Sequence, residues 1–371
     1  MNIALISCGR SDYSIYLPLM KKLRSDTYFK LDIIAFGTHV SRFYDKTVSN
    51  FYQDNFNVAY ELESIVLGDS SEAISSSMGL TTVKFSSIWS KENYDLIIVL
   101  GDRYEMFSAI AASVPFNIPL VHIGGGETTL GAIDNKFRHC ITTMSNYHFV
   151  TTESHKKRVE EILGHSRNVH NVGAPALDNF HDLELLTKEE FQREWDIDLN
   201  KPTILTTFHP ETVALEKNET YINELIKAID QIDKQFVITM PNNDTMGTLI
   251  RNYLNEYVAK NPKRCHIVEV LGTVGYYSCM KHCQYLLGNS SSGIIEAASF
   301  KKYVINIGDR QKGRDTGKNI IHVKIDSKEI LKAADKIDNL PEFNDKNIYG
   351  DGNTSDRIIQ ILKNINNNDY E

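Results

Sequence analysis

Apolar runs of strand length recur along the chain, with helical patterns between them. "NIALIS", "LDIIAFG", "DLIIVLG", "IPLVHIG" and "YHFVTT" form a first set; "TILTTFHP", "FVITMP", "HIVEVLG", "QYLLGNSS", "YVINIG" and "IIHVKI" form a second. Strands this continuously apolar must be covered on both faces, which makes the sheets parallel and the intervening segments helices. The first such segment places Tyr16, Leu19, Met20 and Leu23 at i, i+3, i+4 and i+7, one helical stripe. Pro18 in the same stretch predicts that it belongs to that helix's first turn, where a missing N–H costs nothing.

A chain of 371 residues exceeds what one hydrophobic core usually supports. The polar connection "NVGAPALDNFHDLELLTKEEFQREWDIDLNKP", with Gly173, Pro175 and Pro202, separates the two strand sets and puts the boundary near residues 172–180. The expected division is an N-terminal Rossmann-like domain over 1–174 and a second over 175–354. A C-terminal helix and tail over 355–371 can pack back on the N-terminal domain. Two doubly wound α/β domains then face each other across a central cleft.

Composition excludes several function classes. The net charge of -8 argues against nucleic acid and anionic membranes as partners. The start "MNIALISCGR" lacks the basic region and apolar length of a signal peptide, and nothing approaches the roughly 18 apolar residues of a membrane span, so a cytoplasmic location is expected. Five scattered cysteines suit reduced thiols. "CMKHC" groups Cys279, His282 and Cys283, but without a second ligand pair downstream it reads as buried thiols rather than a zinc site.

In open parallel sheets, ligands bind beyond the carboxyl ends of the strands. Those ends are polar here: Arg10 and Ser14 after the first run, His39 after the second, Asp102 and Arg103 after the third. "VHIGGGETTLGAID" then carries Gly124, Glu127 and Asp134. In the second half the ends supply His209, then Ser290, Ser291 and Glu296, then Arg310 and Arg314. Each alone is compatible with a solvated loop.

"YLLGNSSSGIIEAAS" ends a strand at Gly288 and starts an apolar helix near Ile294, so serine hydroxyls and free N–H groups gather as for an anion. The helix dipole adds roughly 0.3–1 kcal/mol for a phosphate there. No Walker A lysine follows, and Thr129 stands where a G-x-G-x-x-G fingerprint needs glycine, so neither triphosphate hydrolysis nor a dinucleotide cofactor is indicated. Glu296 is suited to accept two hydrogen bonds from a ribose diol, or else is a capping or solvent-facing glutamate. Arg10, Arg310 and Arg314 match a diphosphate, and no DxD run or His/Asp cluster suggests a metal. Asp102, Glu127, Asp134, His39 and His209 are enough for proton abstraction beside a sugar carbon, although Asp102 also fits a helix cap.

These motifs resemble the hydrolysing UDP-N-acetylglucosamine 2-epimerases of sialic acid biosynthesis, over about residues 2–365. The likeness is carried by "GRSDYS", "GTHVS", "VLGDRYE", "GGETTLGAID" with "FRH", "FHPET", "GNSSSGIIEA", "NIGDRQKGRDTG" and "IYGDGN". The resemblance implies the GT-B fold, no metal or other cofactor, and a homodimer or homotetramer. It implies that Arg10 and Ser14 hold the diphosphate, that Ser290, Ser291 and Arg310 hold it or the uridine, and that Glu296 takes the ribose. Asp102, Asp134 and His209 would act at the sugar, with Glu127 as a further carboxylate and His39, Arg103, Gly124 and Arg314 beside it. The implied reaction is anti elimination of UDP through a 2-acetamidoglucal, then hydration to the C2 epimer, with UDP-GlcNAc the default substrate and N-acetylmannosamine the product.

Two departures stand out. Sialic acid branch members read H-I-E-G-G-E, and Gly124 replaces the first of those glutamates; the stretch from Glu127 to Asp134 is also one residue longer. "GGETT-GA" loops look like those of enzymes acting on UDP-2,4-diacetamido-2,4,6-trideoxyhexose in legionaminic acid synthesis, where a missing side chain leaves room for a 4-acetamido or 6-methyl group. A non-hydrolysing epimerase, a glycosyltransferase of the same fold and an inactive nucleotide-sugar-binding module are the competing readings.

Overall fold

The computed structural model describes every residue except 43–45, 69, 129–132, 181–182, 211–214, 241–246, 270 and 366–371. It divides into two compact units, Met1–His181 with Tyr349–Glu371, and Asp182–Ile348. In the first, strands β1 (Asn2–Ser7), β2 (Lys30–Phe36), β3 (Val58–Leu62), β4 (Leu96–Leu100), β5 (Leu120–Ile123), β6 (Tyr147–Val150) and β7 (Val169–Asn171) form one sheet. Its order is β3-β2-β1-β4-β5-β6-β7, with parallel pairing throughout.

The second unit holds β8 (Thr203–Thr207), β9 (Gln235–Thr239), β10 (Cys265–Val268), β11 (Tyr285–Gly288), β12 (Tyr303–Ile307) and β13 (Ile320–Val323). They pair in parallel in the order β10-β9-β8-β11-β12-β13. The strand order reverses between β1 and β4 in one unit and between β8 and β11 in the other, the places where an open sheet leaves a ligand crevice.

Both faces of the first sheet are covered, as the continuous apolar strands require. Ile3 and Leu5 of β1 face a cluster with Leu19, Leu23, Ile358 and Leu362. Ala4 and Ile6, one residue out of phase, face Phe85, Trp89, Met106 and Ile141 on the other side. The edge strands β3 and β7 were not among the apolar runs, because "VAYEL" and "VHN" are short or only half-buried. Among the described residues no helix is long and apolar enough to cross a membrane.

Two expectations need correction. The first helix runs Arg10–Ser25, so Pro18 lies in its interior rather than its first turn. The Ser14 carbonyl, which a proline at position 18 cannot reach with an N–H, accepts instead from Asn179 Nδ2 at 3.3 Å. The chain also passes to the second unit after residue 181 rather than 174, and returns at 349 rather than staying until 354. Asp178 explains the later crossing. Its buried carboxylate accepts from the N–H groups of Thr354 and Ser355, at 2.8 and 2.5 Å, tying residues 175–180 to the returning helix Thr354–Lys363.

Candidate active site

At the end of β4 the chain passes through Gly101, Asp102 and Arg103 into the helix Tyr104–Ala111. Asp102 does not cap that helix; Arg103 occupies the capping position and makes no side-chain cap bond. The Asp102 carboxylate pairs with Arg138 of the helix Asp134–Met144, their side chains 23% and 5% exposed. Arg138 Nη1 also donates to the Glu127 carbonyl at 2.7 Å and to Asn135 Oδ1 at 3.1 Å. Asp134 opens the same helix, and burial, then the charge of Asp102, pushes its carboxyl above the usual range against the opposing pull of Arg138 and Arg103. Environment thus separates two neighbouring carboxylates: one is ion-paired, the other biased toward its protonated form.

Arg138 was not singled out from the sequence, although it stands at i+4 from Asp134, the spacing at which acid and base share a helix face. Beneath the carboxylates, buried His122 joins Gly101 O through Nε2 at 2.8 Å and Thr142 Oγ1 through Nδ1 at 3.2 Å. A carbonyl only accepts, so Nε2 carries the proton; burial lowers the ring's pKa to about 3 and keeps it neutral.

The glycines after β5 differ in what they tolerate. A Cβ on Gly126 would lie 2.4 Å from His155 O, which only glycine avoids. A Cβ on Gly124 would meet Gly101 N at 3.8 Å and Gly101 Cα at 3.9 Å, ordinary van der Waals contact, so sterics alone do not require glycine beside the Gly101–Asp102 turn. The φ of Gly124 is +87°, however, a left-handed conformation that a glutamate adopts only under strain. The loop is therefore built for glycine here. Residues 129–132, which carry the extra residue before Asp134, lie outside the described residues.

In the second unit, Asn289 is fully buried at the end of β11. It accepts from the N–H of His209 through Oδ1 at 2.7 Å and donates through Nδ2 to the His209 carbonyl at 2.8 Å. Its own carbonyl accepts from Gln311 Nε2 at 2.9 Å and Arg310 Nη1 at 3.4 Å. One asparagine thus joins the ends of β8, β11 and β12, and with them three predicted site segments. Neither Asn289 nor Gln311 was predicted; an amide inside the small-residue run "GNSSSG" was the available signal.

Ser290 caps a helix that is only Ser291–Ile295, shorter than the sequence suggested and starting earlier, with Oγ accepting from Ser292 N–H at 3.3 Å. A short 3-10 turn, Ala297–Phe300, follows, so little helix dipole can build up. Glu296 is not solvent-facing: Tyr277 OH lies 3.5 Å from Oε1, and Oε2 is buried without a hydrogen-bond partner among the described residues. Burial raises its pKa, opposed by Ser292, Tyr277 and Arg314. An orphaned acceptor of this kind suits a hydroxyl donor from a ligand. Arg314 and Gln311 also line a cavity of about 800 Å³ at the ends of β12 and β13.

Arg10 and Ser14 lie exposed on the first turns of the helix after β1, where the Ser14 hydroxyl donates to Ser11 O at 3.0 Å. His39 does not join the site: it is fully buried, with Nε2 on Ser7 Oγ and Nδ1 on Thr47 Oγ1, both at 2.8 Å. Arg103 is held by buried Glu105, Nη2 to Oε1 at 2.5 Å, which leaves it half-exposed beside Asp102 but committed elsewhere. Cys279 and Cys283 are buried, and His282 reaches Leu186 O at 3.1 Å.

Two parallel-sheet units of Rossmann type define the GT-B class. Within it, the chain belongs to the UDP-N-acetylglucosamine 2-epimerase family, matched over residues 21–363. It is 32% identical, over 98% of its own length and 96% of the relative's, to a UDP-N,N'-diacetylbacillosamine 2-epimerase (hydrolyzing) of Legionella pneumophila. It is 34% identical, over 91% and 87%, to a GDP/UDP-N,N'-diacetylbacillosamine 2-epimerase (hydrolyzing) of Campylobacter jejuni. The fold matches that of a UDP-GlcNAc 2-epimerase of Neisseria meningitidis bound to UDP-GlcNAc, with a TM-score of 0.79, 18% identity, and coverage of 98% and 100%.

Proposed function

We propose that this chain is a hydrolysing 2-epimerase of UDP-2,4-diacetamido-2,4,6-trideoxyhexose, releasing UDP and the C2-epimeric free sugar. The observation that carries the substrate is Gly124: lacking a side chain beside Gly101, it leaves room for an added sugar substituent, and its left-handed backbone strains the glutamate found in the sialic acid branch. The names of the Legionella and Campylobacter relatives support the same sugar. UDP-GlcNAc is the second reading, favoured by the family's description.

In this mechanism the nucleotide is taken by Ser290, Ser291, Arg310 and Glu296, with Arg10 and Ser14 on the diphosphate and Glu296 on the ribose diol. Asp102 removes the C2 proton. The C–H pair forms the C1–C2 double bond as the C1–O bond breaks and UDP leaves. Asp134, its pKa raised by burial and by Asp102, then delivers a proton to the opposite face of C2 while water adds at C1. Glu127 and His209 supply the remaining proton transfers at water and leaving oxygen, and Arg314 lies beside the sugar.

Proton NMR in D2O with each nucleotide sugar tests the reading. The expected result is free UDP and a 2-deuterated free sugar, formed faster from the diacetamido substrate. Faster turnover of UDP-GlcNAc would transfer the assignment to that sugar. An epimer still attached to UDP would point to the non-hydrolysing reaction, and no turnover of either would sink the proposal.

A further inference from the structure

Arg138 is an unusual residue to find 4% exposed, because a guanidinium cannot shed its charge on burial. Such a group persists in an interior only when well paired, and its removal leaves its partners wrongly held. Its two Nη atoms are paired and Nε has no hydrogen-bond partner among the described residues; the contacts of the fork are spread over three chain segments. Asp102 belongs to the turn after β4, the Glu127 carbonyl to the glycine loop after β5, and Asn135 to the first turn of Asp134–Met144. Each of these segments carries one of the candidate carboxylates: Asp102, Glu127 and Asp134.

We propose that Arg138 is the positioning residue of this centre, its planar fork holding the three carboxylate-bearing segments in a single arrangement. The proposal rests on reading those carboxylates as the sugar-side machinery. Lysine keeps the charge but is a point donor on a flexible stem, so it cannot hold Asp102 and the Glu127 carbonyl in one plane. Arg138→Lys therefore separates fork geometry from charge, and Arg138→Met removes both.

The experiment measures three properties of the full-length variants: kcat and KM with whichever nucleotide sugar the wild type turns over, UDP affinity by calorimetry, and substrate-free aspartate titration by carboxyl carbon-13 NMR. The proposal expects Arg138→Lys to bind UDP within about threefold of wild type, because the nucleotide groups of the second unit are untouched. It expects kcat to fall on the order of 100-fold with KM changed by less than about threefold, the pattern of a lost transition-state arrangement. Arg138→Met should titrate Asp134 at higher pH than wild type, since a cation that lowers it is gone.

Wild-type kcat in Arg138→Lys would overturn the fork, and so would loss of both folding and UDP binding in that variant, which would make Arg138 a stability residue only. An unmoved Asp134 titration in folded Arg138→Met would overturn the proposal whatever the substrate is. If Arg138→Met fails to fold, Arg138→Lys alone decides. A wild-type protein that turns over neither sugar contradicts the proposed function instead; the titration and the UDP affinity still judge Arg138.

Discussion

Asp134 sits where burial and the charge of Asp102 both resist its ionisation, with Arg138 and Arg103 only partly compensating. A carboxyl whose folded pKa is raised contributes stability that is fully present below its unfolded pKa and lost as pH rises through the folded value. At neutral pH its charge is therefore a cost to the fold. Asp134→Asn should raise the melting temperature at pH 7, with the advantage over wild type shrinking toward pH 4, while turnover falls on the order of 100-fold. Thermal unfolding of both proteins across that pH range checks the sign; an Asn variant less stable than wild type at pH 7 would contradict it. Such a residue is legible in sequence as a carboxylate after a strand end, but its raised pKa is not, because that comes first from burial in the folded unit and then from Asp102, more than thirty positions earlier. His39 shows the reverse case. It follows a strand end as the site residues do, yet Ser7 on the adjacent strand and Thr47 beyond it claim both ring nitrogens.

The helix Arg10–Ser25 carries its proline in the interior, a placement that usually costs about 3 kcal/mol. Asn179, from the segment before the unit boundary, supplies the hydrogen bond that Pro18 leaves out, by donating to the Ser14 carbonyl. The two residues should therefore be energetically coupled. Asn179→Ala should destabilise the native chain by about 1 kcal/mol, and distinctly less in a Pro18→Ala background, where residue 18 regains the N–H that completes the ladder. A double-mutant cycle by urea unfolding measures the difference, and additive effects would show that the contact carries nothing. At this scale the sequence is read most reliably where burial is two-sided: the central strands and the stripe of Tyr16, Leu19, Met20 and Leu23 are placed by apolar pattern alone. It is read poorly where strands are short or half-polar. β3 and β7 carry little signal for that reason, whereas the edge strands β10 and β13 show as apolar runs. The short helix Ser291–Ile295 starts at a serine cap instead of at the first apolar residue.

The two units differ in how the chain builds them. The unit Asp182–Ile348 is one continuous stretch, whereas the other is completed only when the chain returns at Tyr349. The returning segment is an integral part of that unit's core: Ile358 and Leu362 are fully buried and Ile365 is 8% exposed, in the same cluster as Leu19 and Leu23. Asp178 caps the helix that carries them, Arg357 Nη1 donates to Val172 O at 3.1 Å, and Lys22 pairs with Asp356 at 2.6 Å. The expectation that the last helix packs back on the N-terminal domain holds, but the returning segment starts earlier than expected, because the turn signal "YGDGNTSD" marks where a helix starts and not where the chain re-enters that core. Burying three aliphatic side chains contributes together on the order of 5–9 kcal/mol, comparable with the whole stability of a typical domain at about 5–15 kcal/mol. Ending the chain after Ile348 should therefore unfold the first unit and spare the second. Hydrogen exchange followed by mass spectrometry should show fast exchange across β1–β7, with β8, β9, β11 and β12 still protected and further protected by UDP, since Asn289 and its partners all lie within the continuous unit. Retained protection in β1–β7 would mean that the sheet is stable without its last helix. Loss of protection in β11 would mean that the second unit depends on the first, although no part of its chain is interrupted.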